Sequence, residues 1–101
     1  MTVVLTPEAV RDLEEATDHY ADIDPDFGER FVAAVDAAME RLLMFPRGAP
    51  PVEGFDALRR ARMRHFPYGL FYQPTATGDL LVVRVLHSRR DRQDALESQD
   101  T

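Results

Sequence analysis

Arginines spaced two residues apart are the first feature of this sequence that could carry chemistry. Arg60, Arg62 and Arg64 alternate with Ala61 and Met63. In a β-strand this spacing places the three guanidinium groups on one face. That face is either an ordinary solvated surface or a surface that binds an anionic partner. Three arginines in register exceed what solubility requires, which favours recognition of phosphate or carboxylate groups.

Three further residues are candidates for chemistry. His87 opens the basic segment 87–91, HSRRD, and histidine is the side chain that titrates near neutral pH. A structural hydrogen bond at a strand end is the simpler interpretation of His87, and a place in the core is the simpler interpretation of Tyr72. Arg84 interrupts an apolar strand, so it requires either an acidic partner or a functional role. The sequence leaves both alternatives for Arg84 open.

Two helices that follow a short strand are predicted in the first half of the chain. Val3–Leu5 is β-branched and apolar, as is typical of a strand. Thr6-Pro7 and Asp24-Pro25 each combine a capping side chain with a proline suited to the first helical position. Apolar residues then recur at three-to-four spacing until residues 46–48, PRG, end the second helix. Since few residues separate the two helices, they are expected to form an antiparallel hairpin.

The second half predicts a three-stranded antiparallel meander. Its strands are expected at residues 58–64, 70–73 and 79–87, and residues 46–56 are expected to form a loop because they contain three prolines and two glycines. Apolar residues on both faces of the last strand indicate a central strand. The expected fold class is therefore α+β, with the N-terminal strand and the helix hairpin followed by the meander in one sheet.

Length and composition restrict the class of protein. The chain of 101 residues is expected to form a single domain over residues 1–96, with a flexible tail at 97–101. It contains no cysteine, and no metal-ligand spacing, phosphate-binding glycine loop or serine-triad signature is visible. No cofactor is expected. The sequence has neither a recognisable signal peptide nor a membrane-spanning apolar run, so the expected location is the cytoplasm, without membrane association.

Charge is distributed unevenly along the chain. Residues 1–46 contain 11 acidic residues and 3 arginines, whereas residues 47–92 contain 9 arginines and 4 acidic residues. The net charge of −6 argues against a general nucleic-acid binder, because binding of that kind requires net neutralisation of phosphates. The basic half instead favours one anionic partner, and the absence of lysine limits proton transfer because arginine stays protonated.

Two motifs give this chain a family resemblance. Residues 60–72, RARMRHFPYGLFY, and residues 85–91, VLHSRRD, resemble segments of the ParE/RelE superfamily of toxins from bacterial type II toxin–antitoxin systems, which also act in plasmid stabilisation. The resemblance extends from Val3 to Leu96. It implies a small RelE/ParE-like fold and a cognate antitoxin that wraps the toxin as a partly disordered chain in a toxin–antitoxin hetero-oligomer.

The resemblance implies two alternative activities and leaves a third outcome open. ParE-like toxins bind DNA gyrase without known catalysis, whereas RelE-like toxins cleave mRNA on the ribosome without a metal. An inactive member that binds only its antitoxin is the third outcome. The absence of lysine and the acidic net charge favour the ParE-like activity. His87 and Tyr72 would be catalytic only in the nuclease, and Arg60 and Arg64 are expected to bind the antitoxin. The residues expected to bind phosphate or the target are Arg60, Arg62, Arg64, Arg84, Arg89 and Arg90.

Overall fold

The computed structural model describes residues 1–89. It contains two helices and a five-stranded sheet. The tail at 97–101, the helical turn expected near Leu96 and the residues Arg90 and Asp91 lie outside the described residues. The elements in chain order are β1 Val3–Leu5, α1 Pro7–Ile23, α2 Pro25–Met44, β2 Pro51–Val52, β3 Phe55–Arg62, β4 Tyr68–Pro74 and β5 Leu80–His87.

Both helix starts are confirmed. The hydroxyl of Thr6 accepts a hydrogen bond from the backbone nitrogen of Ala9 at 3.0 Å, and the carboxylate of Asp24 accepts one from Asp26 at 2.9 Å. These bonds satisfy amides that a helix leaves unpaired in its first turn. Because Asp24 alone separates α1 from α2, the chain reverses abruptly. Gly28 permits this packing, since an added Cβ would lie 2.9 Å from Cβ of Ala21.

The sheet has the strand order β1-β5-β4-β3-β2. The N-terminal strand β1 pairs in parallel with β5, and the other neighbours pair antiparallel. The helices cover one face of the sheet, which we call the inner face, and Phe31, Leu42 and Tyr72 are buried there. A smaller apolar cluster occupies the opposite, outer face and contains Leu58, Phe71, Val83 and Leu86. Apolar packing on both faces confirms that β5 is a central strand.

A β-bulge in β5 changes which residues face the helices. Between Phe71, which pairs with Arg84, and Tyr72, which pairs with Val82, strand β4 advances one residue while β5 advances two. The additional residue is Val83. In a regular strand, Leu86 would lie on the same face as Val82. The bulge instead places Val85 on the inner face and Leu86 on the outer face.

The boundaries of the meander also differ from the prediction. The loop expected at 46–56 contains β2, whose two residues pair irregularly with Arg59 and Phe55. Strand β3 begins at Phe55, after Gly54 turns the chain at a φ of 84°, and it ends at Arg62 rather than at residue 64. The hairpin closes early because the amide of Met63 donates to the carbonyl of Tyr68 at 2.9 Å. Within residues 1–89, no helix is both long and apolar enough to cross a membrane.

Candidate binding surface

The side chains of Arg60 and Arg62 on β3 lie on the outer face of the sheet. Arg60 pairs across the strands with Phe71, and Arg62 pairs with Gly69. Cross-strand partners project from the same face, and Phe71 belongs to the outer apolar cluster. Within residues 1–89, no carboxylate lies within ion-pair distance of Arg60 or Arg62. We call the surface of these two residues the cationic face.

Gly69 positions the side chain of Arg60. A Cβ added at Gly69 would lie 3.1 Å from Cγ and 3.3 Å from Cδ of Arg60, so the aliphatic part of Arg60 lies where a side chain on β4 would otherwise project. The cationic face borders a hollow of about 290 Å³ whose lining includes Gly69, Phe71 and Ser88. This outer hollow therefore combines an apolar floor with guanidinium groups and a hydroxyl at its rim.

Arg64 and Arg89 extend the positive charge at one end of the sheet. Arg64 lies beyond the end of β3, so it does not continue the strand alternation that was predicted for it. The amide of Ser88 donates to the carbonyl of Pro67 at 2.8 Å, which fixes the end of β5 beside the β3–β4 loop. Arg64 and Arg89 are both exposed there. Their predicted role in binding, and that of Arg90, stays a prediction.

Arg84 is placed apart from the cationic face. Its Nε and Nη2 atoms donate to the carboxylate of Asp12 on α1 at 2.7 and 2.9 Å. The two side chains are 14% and 6% exposed, and the hydrogen bonds to Asp12 raise the pKa of Arg84. The acidic partner that its sequence position required is therefore present. This partner directs Arg84 toward the helices, so the position does not support binding of phosphate or a target by Arg84.

Tyr72 is unsuited to the catalytic role considered for it. Its side chain is fully buried, and its hydroxyl donates to the carbonyl of Pro46 at 2.8 Å. Burial raises the pKa of Tyr72 above its usual value of 10.0. A buried phenol whose proton is already donated cannot reach a substrate. Tyr72 instead anchors the loop that follows α2 to the sheet.

His87 faces the helices rather than the cationic face. Its ring packs edge-on against Tyr68, with the centroids 5.2 Å apart, and Tyr68 in turn packs against Tyr20 and Phe31 of the helices. His87 and the guanidinium of Arg60, two of the groups considered for a nuclease reaction, therefore lie on opposite faces of the sheet. A single phosphate cannot contact both.

The surroundings of His87 also disfavour a nuclease. The hollow beside His87 is lined by Asp12, Glu15 and His19 of α1. Asp12 is paired with Arg84, and the carboxylate of Glu15 repels phosphate. Nδ1 of His87 accepts a hydrogen bond from the amide of Arg89 at 3.1 Å. This contact engages Nδ1 with the backbone at the end of β5.

Two other proton carriers of the meander occupy different environments. His65 is exposed in the β3–β4 loop with a φ of 70°, and Tyr68 lies against the helices, within the aromatic contacts described above. No group of three or more histidine, aspartate or glutamate side chains in residues 1–89 could hold a metal ion.

Sequence reasoning missed a second concave site, which we call the inner groove. This cavity of about 440 Å³ lies between the end of α2 and β3, and its lining includes Arg41, Leu42, Phe45 and Ala61. The sequence predicted Phe45 within the buried stripe of α2, but Phe45 is 63% exposed beside Met44 and Leu43. Consecutive apolar residues at the end of a helix were the signal that could have indicated the groove.

Fold and site together define a small α+β protein in which two arginines of β3 border a hollow on the outer face of the sheet. Residues 3–92 match the family model described as the ParE toxin of the type II toxin–antitoxin system, parDE. The chain belongs to this family. A solved structure, described as the chromosomal ParDE TA system from P. aeruginosa, has a similar fold with a TM-score of 0.75. The two chains are 18% identical, and the match covers 86% of this chain and 95% of the other. No curated protein sequence matches.

Proposed function

We propose that this protein is a toxin that blocks DNA gyrase by binding and is neutralised by a cognate antitoxin. The observation that carries the proposal is the placement of His87 and of Arg60 and Arg62 on opposite faces of the sheet, within a ParE-family fold. A ribosome-dependent nuclease requires a proton carrier and phosphate-binding cations around one phosphate. Binding requires only the exposed surface.

The charge distribution supports protein partners. The helices carry most of the acidic residues, and the guanidinium groups of the cationic face, on the other side of the sheet, have no ion pair within residues 1–89. Arginine forms paired hydrogen bonds with carboxylates, so a cationic face of this size suits the acidic side chains of an antitoxin. The proposal places toxin and antitoxin in the cytoplasm, as a hetero-oligomer that serves plasmid stabilisation or the equivalent role on a chromosome.

A gyrase supercoiling assay tests the target. Purified toxin should inhibit supercoiling of relaxed plasmid, and addition of the antitoxin encoded by the neighbouring reading frame should restore it. The Arg11→Glu variant, changed on the exposed surface of α1, serves as a charge control and should inhibit equally well. Normal supercoiling at a large excess of toxin would contradict the gyrase assignment.

Growth assays separate this proposal from its alternatives. Induction of the wild-type chain should arrest growth, and His87→Ala should arrest it equally because no catalytic step depends on that ring. New mRNA ends in primer extension that disappear in His87→Ala would identify a nuclease instead. Growth without arrest would identify an inactive member that binds only its antitoxin.

A further inference from the structure

Strand β3 has an unpaired edge at Arg62. Met63 and Tyr68 form a hydrogen-bonded pair between β3 and β4. Because hydrogen-bonded and non-hydrogen-bonded pairs alternate along an antiparallel ladder, the next pair, Arg62 with Gly69, is not hydrogen-bonded. The amide and carbonyl of Arg62 therefore point away from β4. On that side β2 pairs only with Arg59 and Phe55, and the carbonyl of Pro50 accepts from Arg60. Within residues 1–89, the backbone of Arg62 therefore faces a position that no strand occupies. An edge of this kind is a template for another strand.

The inner groove runs along this same edge. Its lining includes three consecutive residues of β3, Arg60, Ala61 and Arg62. Successive side chains of a strand point to opposite faces, so a cavity that contacts all three must lie against the edge itself. The far wall is Leu42 and Phe45 of α2, with Arg41 beside them. A side chain from an added strand, pointing inward opposite Ala61, would enter this groove.

The groove is already formed without a partner. The Tyr72 hydroxyl holds Pro46 at 2.8 Å, and Nη1 of Arg59 donates to the carbonyls of Ala49 and Arg47 at 2.7 and 3.3 Å. These bonds fix the loop that forms the wall of the groove between α2 and β2. A preformed wall reduces the ordering cost that a partner must overcome on binding.

On the outer face, the cationic face would flank the same added strand. Cross-strand neighbours lie about 5 Å apart and diagonal ones about 7–8 Å, so an outward side chain of that strand would lie beside Arg62 and within reach of Arg60 on the same face. The aliphatic part of Arg60 is directed over Gly69, which keeps its guanidinium group on this face. The two sides of the unpaired edge thus differ, since one accepts apolar side chains and the other accepts carboxylates.

We infer that the unpaired edge at Arg62 binds an extended antitoxin segment in which carboxylate side chains alternate with apolar ones. The inference rests on the proposed function for the presence of an antitoxin. A folded partner protects its own strand edges, whereas a flexible chain can supply an unpaired strand and order on binding. Met44 and Phe45, exposed beside the groove, would extend the apolar contact beyond one side chain.

The probe is a capped peptide of about eight residues, a typical strand length, in which glutamate alternates with leucine. A peptide of the same composition, with the glutamates in one block and the leucines in another, is the matched control. Binding is measured with isotope-labelled full-length protein by NMR titration and by amide hydrogen exchange. The alternating peptide should slow exchange of the Arg62 amide about tenfold or more, since that amide gains an acceptor. The block peptide should not slow it.

Three substitutions test the roles of the cationic face and the inner groove, which lie on the two sides of the unpaired edge. Arg62→Glu should raise the Kd for the alternating peptide about tenfold or more, because a charge-assisted pair becomes a repulsion. Gly69→Val should raise the Kd by displacing Arg60, since its Cβ would lie 3.1 Å from Cγ of that residue. Phe45→Ser, at an exposed site, should raise the Kd by removing one wall of the groove. Arg11→Glu on α1 is the charge control and should leave the Kd unchanged.

The inference is overturned if the peptide does not bind at about millimolar concentration, or if it binds without protecting the Arg62 amide. Binding in a helical conformation, or equal binding of the block peptide, would overturn it as well. None of these measurements uses gyrase or cell growth. Peptide binding by a chain that does not arrest growth would therefore reject the proposed function alone, and growth arrest without peptide binding would reject this inference alone.

Discussion

The carboxylate of Asp12 lies 2.7 Å from Nε of Arg84 and 2.9 Å from the backbone nitrogen of Val85. One side chain of α1 therefore binds both residues that follow the bulge of β5. The Asp12 carboxylate pairs with the guanidinium of Arg84 and also accepts a hydrogen bond from the amide of Val85. This contact joins the helix layer to the central strand of the sheet.

Loss of the Asp12 carboxylate should destabilise the fold strongly. Asp12→Ala removes the carboxylate that pairs with the mostly buried guanidinium of Arg84 and accepts from the Val85 amide, and breaking a buried pair in this way costs about 3–5 kcal/mol. Urea unfolding followed by circular dichroism measures the change. The control Glu14→Ala, on the exposed side of α1, should change the free energy of unfolding by less than about 0.5 kcal/mol. A similarly small loss in Asp12→Ala would show that the contact contributes little.

Asp79 should make stability depend on pH in the acidic range. Its carboxylate accepts hydrogen bonds from the amide and hydroxyl of Thr2 at 3.1 and 2.7 Å, and these bonds lower its pKa below 3.8. A lowered folded-state pKa gives stabilisation that is present above the unfolded pKa and lost as pH falls through the folded one. Asp79→Asn should therefore be less stable than wild type at neutral pH. The difference should vanish below the folded pKa. Unfolding curves at several pH values test this, and a constant difference would contradict it.

His65 should carry a conformational cost. Its φ of 70° lies in the left-handed region, which glycine adopts without a steric penalty. Since His65 is exposed, we expect His65→Gly to raise the free energy of unfolding by about 0.5–1 kcal/mol, and His65→Val to lower it. Thermal denaturation of the two variants beside wild type provides the measurement. Destabilisation by glycine would mean that the imidazole makes contacts that outweigh the strain.

The Tyr72 hydroxyl should contribute to stability and to the shape of the inner groove. Tyr72→Phe removes the hydrogen bond to Pro46 and leaves a buried carbonyl with one donor fewer, which should cost about 1 kcal/mol in unfolding free energy. Amide exchange in residues 46–50 should quicken because that loop loses an anchor. If the protein acts by binding as proposed, the same substitution should leave growth arrest intact, because the buried Tyr72 hydroxyl does not reach the surface. Abolished toxicity in a folded Tyr72→Phe chain would argue against this assignment.

Charge reversal at Arg60 and Arg64 should weaken the antitoxin complex. Arg60→Glu combined with Arg64→Glu replaces charge-assisted pairs with repulsion, and we expect a loss of about 3 kcal/mol in binding free energy. Calorimetry with the antitoxin from the neighbouring reading frame measures the affinity, and Arg11→Glu provides the charge control. Unchanged affinity in the double variant would place the antitoxin elsewhere.

The chain order of the helices and the main strands follows from local chemistry in the sequence. The pairs Thr6-Pro7 and Asp24-Pro25 indicate where the helices begin, because capping and proline geometry depend only on neighbouring residues. The two motifs of the meander resembled the ParE family, and the match over residues 3–92 confirms that family. The strand alternation also placed Arg60 and Arg62 together correctly, because β3 is regular between them.

Tertiary contacts decided the faces on which the other candidates lie. A period-two pattern assumes a regular strand, but the bulge at Val83, bound by Asp12 from a distant helix, reverses the alternation after Arg84. His87 consequently faces α1 rather than the cationic face. The unpaired edge at Arg62 likewise depends on where β2 stops pairing. Such features arise from residues far apart in the chain, so no local pattern contains them.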